Sequence, residues 1–202
     1  MPMIKDILTK NDLSLDDINL IVCDIGPGSF TGIRIGIATV KAFHDSLDIP
    51  YIGVSSLETL AYNTKNSNLV CSILDANNDN CYFALYERKG NYFEELIEPQ
   101  AESIDNAIAI LNSYLEDNFN NSSITFVGDG AESFKNQISN VFKNAIFLDS
   151  KQNILNSYNL GLCGFEKYQN GISNEDILPL YLKKPQAQRL LEQKLKDMNN
   201  HE

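Results

Sequence analysis

One stretch limits the folds open to this chain of 202 residues more than any other. The run "NLIVCD", Asn19 to Asp24, is continuously apolar and of strand length. That is the pattern of a strand buried on both faces of a sheet. It passes directly into "IGPGSFTGIRIGIATVKAF", Ile25 to Phe43. Four glycines there fall within eleven residues, Pro27 separates the first two, and an apolar segment with few charges follows. Strand, glycine turn and helix in that order form half of an α/β unit.

A glycine loop between strand and helix raises the question of a phosphate. Free N–H groups and the positive dipole end make a helix start a natural anion site. The spacing fits neither common fingerprint. The Walker pattern requires Gly-Lys-Ser/Thr five residues after its first glycine, where this chain has Thr31 counted from Gly26 and Ile33 counted from Gly28. The dinucleotide pattern requires a third glycine where Thr31 stands, and Gly32 comes one residue late. No lysine follows until Lys41. A phosphate held by backbone amides alone stays open as an alternative. For nucleophilic catalysis Ser29 or Thr31 needs a base. The one candidate, His44, lies at the far end of the same helix, roughly 20 Å away at 1.5 Å per residue. The carboxylates at strand ends, Asp24, Asp75 and Asp129, read as turn and cap residues.

Within the expected helix, about Phe30 to His44, Gly28, Gly32 and Gly36 recur every fourth residue and Val40 continues the row. Residues four apart share a helix face. Each glycine costs about 1 kcal/mol relative to alanine, so the row implies close approach by another element. Ile33, Ile35, Ile37, Ala38, Val40 and Ala42 surround most of the axis. A helix apolar nearly all round is expected to be buried nearly all round. Either a lid of its own chain or another protein covers the outer side, and the protein contact is the leading reading.

Composition narrows the partners. Acids outnumber bases 27 to 16, for a net charge of −11. Autonomous nucleic-acid binding relies on a basic patch. The one basic cluster, Lys183, Lys184, Arg189, Lys194 and Lys196, reads as a solvated helix face. The N-terminus lacks the apolar core of a secretory signal, and no apolar run is long enough to span a bilayer; a cytoplasmic protein is the expectation. Cys23, Cys71, Cys81 and Cys163 are widely spaced and read as reduced core residues. With only His44 and His201, a metalloenzyme is not expected.

The periodicity continues as an α/β pattern. Helices are expected over Pro2–Thr9, Ser55–Tyr62, Ser103–Leu115, Glu132–Val141 and Ile154–Tyr168, with strands near 51–54, 69–76, 81–88, 92–96, 123–127 and 145–148. The piece "ILPLYLKKP" is extended and a charged helix follows it. The expected division is a partial first lobe over 1–65, carrying the partner-binding helices, and a second α/β lobe over 66–202.

These residues resemble a known family. "GPGSFTGIRIGIATVKAF" is similar to the signature of the TsaB, or YeaZ-like, proteins of bacterial tRNA modification. "VSSLETLA" from Val54, "ILDANNDNCYFALY" from Ile73, "VGDGA" from Val127 and "PLYLKKPQA" from Pro179 match in the same order. The resemblance implies an α/β, actin-like two-lobe fold of the sugar kinase/Hsp70 type. It implies a non-catalytic subunit that activates the catalytic paralogue TsaD as a heterodimer, joined by the ATPase TsaE. The product would be threonylcarbamoyladenosine beside the tRNA anticodon, with tRNA met only through the complex. The family's pairing surface is built from its first two helices. Carried onto this sequence, that surface is Ile4, Ile7, Leu8, Gly28, Phe30, Thr31, Gly32, Arg34, Ile35 and Gly36. No catalytic residue, cofactor or metal is implied for this subunit, and a homodimer is the alternative when the partner is absent. Family members open with further strands before the first helix, so the first lobe is expected to lack its opening strands, through truncation or a misplaced start. Many members also carry basic residues where this chain has Asn77 and Asn78. The readings set against the scaffold are a small-molecule kinase or ATPase of the actin-like superfamily and a fragment without function.

Overall fold

A computed structural model describes residues 2–119, 122–172 and 176–183. The strands form two sheets. β1 (Ile21–Asp24) and β2 (Tyr51–Val54) pair in parallel, Ile21 opposite Tyr51 and Asp24 opposite Val54. The second sheet has the order β5-β4-β3-β6-β7. In it β3 (Leu69–Asp75), β4 (Asn80–Lys89) and β5 (Tyr92–Ser103) form an antiparallel meander. β6 (Ile124–Val127) and β7 (Ala145–Phe147) extend it in parallel beyond β3.

Four of the helices start where a short polar side chain accepts a hydrogen bond from a first-turn amide, removing one unsatisfied donor. Ser29 caps α2 (Phe30–Leu47), Ser55 caps α3 (Ser56–Ala61), Ser103 caps α4 (Ile104–Asn118) and Asn156 caps α7 (Ser157–Gln169). α1 (Pro2–Lys10) buries none of its side chains. The segment expected as one helix over 132–141 is two, α5 (Asp129–Ser133) and α6 (Lys135–Val141), broken at Phe134, whose side chain is buried in the core. β5 runs past the expected end at Leu96 and through Pro99. Proline is tolerated there because, among the described residues, β5 pairs only with β4, and Pro99 falls where that ladder shifts register.

Packing interleaves the two halves. α4, α5 and α6 cover one face of the second sheet, with Phe83, Leu85, Leu111, Phe126 and Ile138 in the main core. α3, from the first half of the chain, covers the other face through Leu57, Leu60 and Ala61 against Val70, Ala84 and Tyr86. α7, from the second half, packs on the first sheet, where Cys163 meets Ile52 and Val54. The contact is so close that a Cβ added to Gly164 would lie 2.4 Å from both Val22 methyl carbons. At the α3–α7 contact Glu58 pairs with Lys167, and Tyr62 Oη donates to Glu166 at 3.1 Å. β1 and β2 thus precede residue 65 and β3 to β7 follow it, while one helix from each side serves the other sheet.

Candidate docking site

The turn leaving β1 is fixed by its own polar groups. Gly26 has φ +102°, a left-handed value that favours glycine. A Cβ at that position would meet Ile33 Cδ1 at 2.8 Å. The Gly26 N–H donates to Asp24 Oδ1 at 2.8 Å, and Ser56 Oγ lies 2.8 and 2.9 Å from the two carboxylate oxygens of Asp24. Burial pushes the Asp24 carboxyl above its usual range, opposed by these bonds from Gly26 and Ser56, which favour the charged form. Asp75 and Asp129 also serve the backbone: Asp75 Oδ1 accepts from Asn77 N at 2.8 Å, and Asp129 Oδ1 from Asp75 N at 2.9 Å. Asp24 and Asp75 therefore take the turn role expected of them, while Asp129 instead ties the start of α5 to the end of β3.

Ser29 Oγ accepts from Gly32 N at 3.2 Å, and His44 Nδ1 lies 3.0 Å from the Ile49 carbonyl. The hydroxyl and the imidazole are each engaged locally at opposite ends of α2. All four cysteines are free and buried. Burial raises the Cys23 thiol to about 11 and the Cys81 thiol to about 12. These are the small core residues that the spacing suggested. Among the described residues no group of three or more His, Cys, Asp or Glu side chains is placed to hold a metal ion.

Only Gly32 and Gly36 of the glycine row lie within the helix. Gly28 precedes the Ser29 cap and stands outside the helix. Gly32 is exposed at the first turn. Gly36 turns inward, and a Cβ there would sit 3.6 Å from Cys23 Sγ. Its close approach is therefore to β1 of its own chain. Nor is α2 buried nearly all round: only Ile37 and Val40 are buried. A sheet of two strands covers one side of a helix and no more.

A second side of α2 is covered by the chain itself. Residues 176–181 run back along it as a strap. Asp176 pairs with Lys41 at 2.5 Å, Ile177 is buried beside Val40, and the Leu180 N–H donates to the Ile25 carbonyl at 2.8 Å. Tyr181 stacks on Phe30 with centroids 5.0 Å apart. Arg34 lies 3.9 Å over the Phe30 ring and donates through Nε to Tyr181 Oη at 2.6 Å. The lid of its own chain, set against a protein contact in the sequence reading, thus exists for this sector, and it occupies Phe30 and Arg34.

The remaining sector is open and apolar. Ile35 is 63% exposed, Ile7 63% and Met3 78%. A groove of about 700 Å³ runs along α2 between Leu15, Ile35, Ala38, Ala42 and Leu47. A second hollow of about 310 Å³, sharing Leu15, Thr39 and Phe43, continues it under Ile4, Ile7 and Leu8 of α1 and along β1. Of the residues expected to bind a partner, Ile4, Ile7, Leu8 and Ile35 therefore face one continuous apolar surface. Thr31 and Gly32 are exposed at its end, while Phe30, Arg34 and Gly36 face elsewhere. Leu15, Ala38, Ala42 and Leu47 were not singled out as site residues. The 35-38-42 spacing of one helix face was their signal in the sequence.

Comparison with known proteins adds a family to this geometry. Residues 1–192 match a family model described as "TsaD: tRNA N6-adenosine threonylcarbamoyltransferase". The chain is 31% identical over 189 residues to the tRNA threonylcarbamoyladenosine biosynthesis protein TsaB of Buchnera aphidicola subsp. Baizongia pistaciae, covering 90% of this chain and 80% of that one. This chain belongs to the TsaB family. It is also 41% identical over 101 residues to the Bacillus subtilis TsaB and 42% over 94 residues to that of Escherichia coli. Those matches span 44% and 41% of the two relatives' lengths, less than half of each. A solved YeaZ from Pseudomonas aeruginosa superposes with a TM-score of 0.70 at 22% identity, over 90% of this chain and 81% of that one. The likeness shows the fold, the α/β architecture of the YeaZ structure.

Proposed function

We propose that this chain is a non-catalytic scaffold subunit in the biosynthesis of threonylcarbamoyladenosine in tRNA. In this reading it binds and activates a catalytic paralogue, TsaD, through α1 and the outer face of α2. The observation that carries it is the continuous apolar surface from Ile7 through Leu15 to Ile35 and Leu47. A soluble chain seldom leaves a groove of that extent open without a partner to fill it. The pathway comes from the names of the relatives, several of which are tRNA threonylcarbamoyladenosine biosynthesis proteins.

A scaffold role fits the local chemistry. The hydroxyl, imidazole and carboxylate that a catalytic reading would recruit are each tied to a cap or a turn. The transferase description belongs to the family model, and the activity would reside in the partner. With a net charge of −11, contact with tRNA falls to the complex, in which the ATPase TsaE also takes part. The setting is cytoplasmic; among the described residues no helix is long and apolar enough to cross a membrane.

Calorimetric titration of this chain with TsaD of the same organism tests the reading. Ile35→Asp is expected to weaken binding by at least about tenfold, a change of about 1.4 kcal/mol, while the melting temperature stays within a few degrees of wild type. Gly32→Leu, at the exposed end of the same surface, is expected to weaken it less. Undiminished affinity in Ile35→Asp would place the partner elsewhere. Transfer of threonylcarbamoyl by this chain alone would make it an enzyme.

A further inference from the structure

The second sheet ends on a groove that the α1–α2 surface does not share. β5 is the last strand of its sheet and, among the described residues, pairs only with β4. α4 lies beside it, and a groove of about 690 Å³ opens between the two. Its floor is apolar: Ile97 is buried in the main core, and Leu96, Ile110 and Tyr114 pack half-buried against that core. Its rim is acidic, formed by the exposed Glu98 of β5 and Asp117 of α4.

The charge in this region has one sign. From Tyr92 to Asn118 the chain carries seven carboxylates and no lysine or arginine. Lys89 reaches Glu94 at 3.7 Å, and among the described residues no cation pairs with Glu98 or Asp117. A free strand edge presents alternate unpaired N–H and C=O groups. Pro99 removes one such donor, and the ladder to β4 shifts register at Leu96 and again at Glu98–Pro99, so the regular edge leading into the groove is Tyr92–Glu95. A strand edge beside a helix, with an apolar floor between them, suits an extended peptide, whose backbone adds to the sheet while alternate side chains enter the groove.

We propose that this groove binds an extended segment of another protein, rich in lysine or arginine, which adds to β5 as a further strand. Charge decides among the occupants. A second copy of this chain paired edge to edge would set Glu94, Glu95 and Glu98 against their own counterparts, and like charges facing each other across strands repel. Nucleic acid is repelled by the same carboxylates. A cationic strand places its apolar side chains over Ile97 and Ile110 and its charges at Glu98 and Asp117. This surface is independent of the scaffold reading and of the α1–α2 partner.

The test uses the full chain labelled with nitrogen-15 and a capped octapeptide alternating lysine with valine, with a glutamate–valine peptide of equal length as control. Amide shifts are expected in Tyr92–Glu98 and along α4 with the lysine peptide alone, with an affinity that falls as salt is raised. The double variant Glu98→Lys/Asp117→Lys is expected to lose at least about tenfold in affinity. Both side chains are exposed, so the circular dichroism spectrum should be unchanged. If that variant fails to fold, Glu98→Gln/Asp117→Asn replaces it, with a smaller loss expected. Absence of shifts on β5, equal shifts with both peptides, or undiminished affinity in a folded charge variant would each overturn the proposal.

Discussion

Among the described residues α2 and α4 are the two longest helices, and they use their apolar residues in opposite ways. α4 buries Ile104, Ala107, Ile108, Leu111 and Leu115 against a sheet of five strands. α2 is longer and has apolar residues on nearly every side, yet buries only Ile37 and Val40. The strap at 176–181 takes one more side, and Ile35, Ala38 and Ala42 stay open. Apolar content alone therefore does not set burial. The neighbouring sheet sets it, and the surplus on α2 is what makes that helix the candidate for docking.

The contrast is broken most strongly by cutting into each helix in turn. Leu111→Ala removes a fully buried side chain from α4 and is expected to cost about 2–5 kcal/mol in denaturant unfolding. Gly164→Ala, on the α7 that backs the first sheet, forces a methyl against Val22 and is expected to cost about 1–3 kcal/mol by the same measurement. A cost for Gly164→Ala near zero would show that α7 shifts freely on β1. Ile35→Ala on the open face of α2 is expected to stay within about 0.5 kcal/mol of wild type. A loss as large as that for Leu111→Ala would mean that this face is covered in solution.

The smallest effect concerns pH. Burial raises the Asp24 carboxyl in the folded chain, whereas the unfolded chain titrates near the usual value of about 3.9. Folding thus favours the protonated form. The stability this group contributes is fully present below the unfolded pKa and is lost as pH rises through the folded one. Relative to Asp24→Asn, which keeps an oxygen for the Gly26 N–H, the wild type should lose stability from about pH 4 upward. A difference that is flat with pH, or that grows in favour of the wild type, would contradict the raised value.

Much of the fold was legible because it rests on local chemistry. The strand at 21–24 and the glycine turn each have a nearest-neighbour cause in the chain, though of that strand, expected to be buried on both faces, only Cys23 is buried. Asp24 and Asp75 read correctly as turn residues for the same reason, whereas Asp129 bonds the Asp75 amide far back in the chain. The glycine row is shorter than its spacing suggested and meets the chain's own strand. The cap at Ser29 excludes Gly28, and the rotation of the helix turns Gly36 onto Cys23. Periodicity gives which residues share a side and leaves open which side meets the sheet.

The sequence by itself determined the element order, the turn after β1 and the apolar surplus on α2, since each depends on residues within a few positions. Tertiary structure decided where that surplus points. Tyr181 reaches Phe30, Ile177 reaches Val40 and Gly164 admits Val22 from far along the chain. Those contacts occupy one side of α2 and one face of β1. Only the folded chain shows that the side left over joins α1 in one continuous surface, because burial depends on every neighbour at once and not on pattern alone.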